Sequence, residues 1–176
     1  MKKNRKLTVS LLVVLIVALV LVGCNKSISK ELDSDIEKYI HDTMVYEEEN
    51  GARPVDACFI SNGILGVEKN GDVTTVYLWQ LGGCYIIDEE GKPVDDSGWS
   101  IPFKIEVKPE GDSYTIVNTE MPKDGSEYMT SIKEIFPASI VKDIENYYDS
   151  KLHEELTADF EKQVTEKYPD IGIIFE

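Results

Sequence analysis

The chain has 176 residues, 42% of them hydrophobic and 29% charged, a balance that fits a single globular domain. It sets aside collagen, wholesale disorder and a multi-pass membrane protein. The formal net charge of −15 repels a phosphate backbone and disfavours a nucleic-acid partner. At the N-terminus, Lys2, Lys3, Arg5 and Lys6 precede a stretch from Leu11 to Val22 with no polar or charged side chain. A basic start and an apolar core of about 12 residues form the pattern of a secretory signal peptide, shorter than the roughly 20 needed to span a bilayer as a helix. Extended back to Leu7 the run approaches that length, which leaves an uncleaved anchor as the alternative.

Leu21-Val22-Gly23-Cys24 closes this segment. It resembles the bacterial lipoprotein box, in which small residues admit the chain to a signal peptidase and the cysteine thiol takes up a diacylglycerol group. The resemblance implies that residues 1–23 are removed and that Cys24 becomes a lipidated N-terminus on the outer face of the cytoplasmic membrane. Removal takes four of the 18 Lys and Arg and none of the 33 Asp and Glu, leaving a net charge of −19. The expected partners are therefore the membrane, through the anchor on Cys24, and an envelope protein, peptide or small apolar ligand. The polar run 24–33 reads as the tether, and 34–176 as one extracytoplasmic domain.

Within that domain, Ser34-Asp35-Ile36-Glu37 matches a capping box, and Ile36, Ile40 and Met44 recur at helical spacing until Asn50-Gly51 and Pro54. Strands follow. Phe59-Ile60 and Ile64 to Val67 lead through Asn70-Gly71 into Val73 to Leu81, a hairpin signal because Asn-Gly supplies positive φ. After a turn at Asp88–Gly91, Ile101, Phe103, Ile105 and Val107 alternate with polar residues as in a half-buried strand. Glu110-Gly111-Asp112 turns into a fourth strand from Tyr114 to Thr119. Ser131-Ile132-Lys133-Glu134 resembles a second capping box, opening a short helix that Pro137 interrupts. A further segment runs from Ala138 to about Tyr147, and Leu152, Leu156, Phe160 and Val164 mark a last helix. The fold class expected is α+β: an N-terminal helix, a four-stranded antiparallel sheet and C-terminal helices, with helices on one sheet face. The order is similar to cystatin-like or nuclear-transport-factor-like folds.

With Cys24 acylated, Cys58 and Cys84 form an even pair in an oxidising compartment. If Asn70-Gly71 are the central turn residues, Cys58 falls opposite Gly83. A bulge at Gly82-Gly83 brings Cys84 opposite Cys58 instead and permits a disulfide. Two free buried thiols are the alternative.

The chemistry of catalysis leaves few traces. His41 and His153 are the only histidines, and no zinc spacing, phosphate loop or Gly-x-Ser-x-Gly elbow occurs. Ser27-Ile28-Ser29-Lys30 matches Ser-x-x-Lys without companion motifs. The acidic runs Glu47–Glu49, Asp88–Glu90 and Asp95-Asp96 lack the spacing of a calcium loop. No cofactor or metal is expected. Tyr77 and Trp79 share a strand face, with Tyr85 and Trp99 near in sequence, and these four are the candidate ligand or partner surface.

From about Ile64 to Phe160 the sequence resembles domains of Gram-positive bacteria that occur as lipoproteins and as extracytoplasmic extensions of BlaR-type β-lactam sensors. The residues carrying this are Ile64-Leu65-Gly66-Val67-Glu68, Val76-Tyr77, Ile101-Pro102 and Asp124-Gly125-Ser126-Glu127-Tyr128, continuing through Ser131 to Pro137. The resemblance implies an envelope domain and carries no activity with it. The function expected is ligand or partner binding without catalysis. An envelope hydrolase using dispersed carboxylates and an inhibitor or immunity-type protein are the alternatives.

Overall fold

The computed structural model describes residues 28–171. The leader, Cys24 and the first tether residues lie outside them. Helix α1 spans Ser34–Glu49, strands β1 to β4 span Ala57–Asn70, Val73–Ile87, Pro93–Glu110 and Ser113–Glu120, and helices α2, α3 and α4 span Tyr128–Ile135, Ala138–Glu145 and Lys151–Lys167. The strands form one antiparallel sheet in the order β1-β2-β3-β4. The α+β arrangement is therefore that of the sequence pattern.

β2 is apolar on both sides, so both sheet faces need a cover, and the expectation of helices on one face is corrected. Ile36 and Ile40 of α1 pack with Val76, Leu78, Phe103, Ile105 and Val107 on one face. On the other, Ile132, Phe136, Ile140, Val141, Ile144 and Leu156 of α2 to α4 pack over Leu65, Tyr77 and Trp79. Farther along that second face, Phe160 and Val164 of α4 enclose Ala57, Phe59 and Tyr85. The N-cap of α1 is Asp33, whose carboxylate accepts from the Asp35 amide at 2.9 Å, one residue before the serine of the expected box. Ser131 likewise is no cap. It is buried inside α2, donating to the Tyr128 carbonyl and accepting from the Lys123 amide.

The first hairpin closes at Asn70↔Val73, with Gly71 and Asp72 as its central residues and Gly71 at φ +65°. Glycine at the first central position is the II′ pattern. The same Gly-Asp pair turns β3 into β4, with Gly111 at φ +62°. This shifts the pairing by two residues from the one that centres the turn on Asn70-Gly71. A bulge at Leu65, between Ile64↔Leu78 and Gly66↔Tyr77, then sets Cys58 opposite Cys84. The two cysteines are bonded, with Cα atoms 4.1 Å apart.

Gly82 and Gly83 are not the bulge but regular ladder positions, opposite Ile60 and Phe59. Their missing side chains have another use. A Cβ on Gly82 would enter the Trp99 indole, and one on Gly83 would sit 3.0 Å from the Phe160 ring. Each glycine thus admits an aromatic ring to a different face of the sheet.

The tether also differs from expectation. Ser29 pairs with Val67, donating N–H to its carbonyl at 3.0 Å and accepting from its amide at 2.6 Å. Ile28 packs against the main core, over the space left by Gly66. Lys30 pairs with Asp143 of α3 at 3.0 Å. The chain is therefore docked from Ile28 onward, where a free polar tether to Asp33 was expected.

Replacing both Cys58 and Cys84 by serine is expected to cost about 3 kcal/mol, because the bond closes a loop of intermediate length in the unfolded chain. Urea denaturation of the two forms checks this; an unchanged midpoint would show that the strand pairing alone holds the two ends.

Candidate functional site

The four aromatics proposed as a binding face do not form one. Tyr77 and Trp79 share a face, as expected, but only 5% and 2% of their surfaces are exposed beneath the C-terminal helices. The Trp79 indole stacks on Tyr147, with centroids 3.7 Å apart and planes 10° from parallel, and its N–H donates to Ser100 Oγ at 2.9 Å. Burial raises the pKa of Tyr77, reinforced by Glu68, whose carboxylate repels the phenolate and accepts a hydrogen bond from the hydroxyl. Tyr85 lies on the same face in the separate cluster with Phe59 and Phe160. Trp99 is on the opposite face, because it pairs with Gly82 while Trp79 pairs with Pro102. The sheet face read as open is core, since the C-terminal helices cover Tyr77 and Trp79 while α1 covers the other face.

Trp99 belongs instead to a polar cluster that the sequence did not single out. Gln80 is 1% exposed, yet its amide is satisfied: the carbonyl accepts from the Trp99 N–H at 2.7 Å, and the nitrogen donates to Asn62 Oδ1 and Met44 Sδ, each at 3.0 Å. A buried amide with its hydrogen bonds filled is a specificity device, since any slip of strand or helix leaves it unpaired. It ties β1, β2, β3 and α1 at one level.

Around the stacked pair on the second face, the surface is aromatic. Tyr148 is 66% exposed and meets Trp79 and Tyr147 edge-on, and the half-buried His153 ring meets both Tyr147 and Tyr148. The His153 Nδ1 is buried without a hydrogen bond. The Tyr147 hydroxyl faces Ser100 without good hydrogen-bond geometry, and burial raises its pKa. Tyr128, whose pKa burial also raises, adjoins Tyr148. This rim rests on the Tyr147-Tyr148 doublet, the one sequence signal for it.

Two open grooves flank α1. One, of about 440 Å³, lies at the β1 edge and is lined by Glu37, His41, Asn62, Asp159 and Gln163 among others. Its floor is committed: Asp159 accepts from Ser61 at 2.5 Å and from Gln163 at 2.8 Å, and Gln163 also caps the edge-strand carbonyl of Ile60 at 3.0 Å. The other, of about 490 Å³, lies between α1 and the β3–β4 turn, with Asp35, Asp42, Asp112, Tyr39 and Tyr114 on its walls. Among the described residues no Asp or Glu is buried and no cluster has the composition of a metal site. Both carboxylates of the edge groove, Glu37 and Asp159, are exposed.

The β3–β4 half of the second sheet face carries charge. Lys104 bonds Glu120 at 2.7 Å and lies 3.5 Å from Glu106. The hydrogen bond with Glu120 raises the Lys104 pKa and lowers that of Glu120. No helix among the described residues is long and apolar enough to cross a membrane. No family model, curated protein or solved structure matches the chain.

Two outcomes are expected. Trp79→Ala removes one ring of a buried stack and should cost about 3–5 kcal/mol in urea denaturation, the signature of a core residue rather than a binding one. The Tyr85 hydroxyl, buried and bonded to the Asp95 carboxylate, is pushed up to about 12. Because its folded pKa exceeds the ordinary value near 10, its contribution to stability is complete below about pH 10 and is lost as pH rises to about 12. Residue-specific NMR titration of the Tyr85 ring reads the midpoint directly; ionisation near pH 10 would contradict the burial.

Proposed function

We propose that the protein is a lipid-anchored domain on the outer face of the cytoplasmic membrane that binds an envelope partner and performs no reaction itself. The Cys58–Cys84 bond carries the localisation, because a disulfide persists where thiols are oxidised and the leader with its Cys24 box directs the chain to such a compartment. The resemblance to envelope domains of Gram-positive bacteria points the same way.

The binding surface is the rim around Tyr148 and His153, in place of the covered face of Tyr77 and Trp79. Tyrosine supplies large contact area with little rotamer entropy to lose, and here a buried stack holds Tyr148 from beneath. A hydrolase reading draws no support from the edge groove, whose two carboxylates, Glu37 and Asp159, are both exposed to water, with Asp159 committed to Ser61 and Gln163. An inhibitor reading needs one large apolar patch, whereas the exposed large hydrophobics are divided among α1 (Tyr46), the far end of β2 and β3 (Ile87, Val94), β4 and the segment after it (Val117, Met121), α2 (Met129) and the aromatic rim (Tyr148).

Metabolic labelling with a fatty acid should mark the wild-type chain and leave Cys24→Ala unmarked and released from membranes. A photo-crosslinking residue at position 148 should trap one envelope protein that the same residue at position 90 does not. Labelling of Cys24→Ala would end the anchor, and identical products at 148 and 90 would end the binding surface.

A further inference from the structure

We infer that the domain stands upright on a short leash, with the end bearing the Ser29–Val67 pairing against the lipid headgroups and the disulfide end pointing away. The inference rests on the lipid anchor proposed above and adds an orientation to it.

The length of the leash follows from where docking starts. Ile28 is packed on the core and Ser29 is hydrogen-bonded both ways to Val67. Only residues 25–27 separate Ile28 from Cys24, so a fully extended chain spans at most about 14 Å between them. A long flexible tether would let the domain tumble. This one holds a particular edge of the sheet near the bilayer.

That edge belongs to one end of the molecule. Val67 lies four residues before Gly71 of the Gly71-Asp72 turn, and Val107, near the corresponding turn at Gly111-Asp112, is level with Thr74. Both turns are therefore at the anchor end. From Val67 back to Cys58 is nine residues of strand, about 30 Å. The sheet is thus long compared with the leash, and its far end lies well beyond the reach of Cys24.

Both ends are acidic, with the acids arranged differently. All three acidic runs gather at the far one: Glu49 accepts from the Cys58 amide, Asp95 pairs in register with Tyr85, and Asp88–Glu90 occupy the loop beyond Ile87. Segments 45–58 and 84–97 hold nine Asp and Glu against Arg53 and Lys92. At the anchor end Lys30, Lys69, Lys108 and Lys142 are interspersed with Glu68, Asp72, Glu110, Asp112 and Asp143, so that end is acidic without unbroken acidic runs. A surface of anionic lipid repels both ends, and what sets the turn end nearest Cys24 is the antiparallel Ser29↔Val67 pairing, which puts Ile28 on the turn side of Ser29 at the start of the short leash.

The test uses the full acylated chain in vesicles of phosphatidylethanolamine and phosphatidylglycerol containing a headgroup nitroxide. A fluorophore is placed on Asp72→Cys or on Glu90→Cys; the native cysteines are acylated or bonded and do not react. Quenching at 72 is expected to exceed that at 90 several-fold. Inserting 15 Gly and Ser residues between Lys26 and Ser27 should erase the difference. Equal quenching at the two sites in the natural chain overturns the upright arrangement, as does a contrast that survives the insertion. Mass spectrometry of Cys24 in the same sample tests the anchor separately: acylated Cys24 with equal quenching ends only the orientation, and unacylated Cys24 ends the anchor and the orientation together.

Discussion

Burial of β2 on both faces is the constraint on which the rest of the structure depends. Val76 and Leu78 point to one side, Tyr77 and Trp79 to the other, and all four are nearly inaccessible to water. An antiparallel sheet often keeps one wet face, which its strands announce by alternation. β3 does so near its end, with Phe103, Ile105 and Val107 inward and Lys104 and Glu106 outward. β2 does not, and so demands a helix on each side. That demand explains the order of the chain: one helix before the sheet for the first face, three after it for the second.

How closely the layers approach is set by small residues. Gly82 and Gly83 let Trp99 and Phe160 settle directly on the backbone from opposite sides, while Gly66 makes room for Ile28 and Ile140. Large rings over glycine bury much apolar area without enlarging the core. The cost is stiffness against substitution, since a Cβ displaces a ring at Gly82 or Gly83 and isoleucine side chains at Gly66. Gln80 adds direction to this packing. Its amide is satisfied only when α1, β1 and β3 are all in register, so it penalises alternatives that burial alone would tolerate.

These features also shift where function can reside. Along β1 and β2, where both faces are covered, the sheet presents helices, edges and turns to partners, not its strands' side chains. The Tyr148 rim is an outgrowth of the core, with the buried Trp79–Tyr147 stack beneath it. At the β1 edge, Ser29 and Gln163 occupy backbone groups that an open strand would offer to another chain. The same Ser29 pairing docks the N-terminal segment on the fold, so protection of the edge and the start of the ordered chain share one set of hydrogen bonds.

Local signals in the sequence determined the element order, the helix stripes Ile36-Ile40 and Leu156-Phe160-Val164 and the Gly-bearing turns. Each depends on residues within a few positions of one another. The cysteine pair was legible for a mixed reason. Its partners were right, but the register came from a Gly71-Asp72 turn and a bulge at Leu65, not from the expected turn and the glycine pair. Only the tertiary structure decided which sheet face was covered, where the tether ended and which aromatics reached solvent. The pattern of β2 states that both faces are apolar without stating what will cover them. That choice is made by contacts between residues such as Trp79 and Tyr147, or Ser29 and Val67, whose separation along the chain leaves no periodic trace.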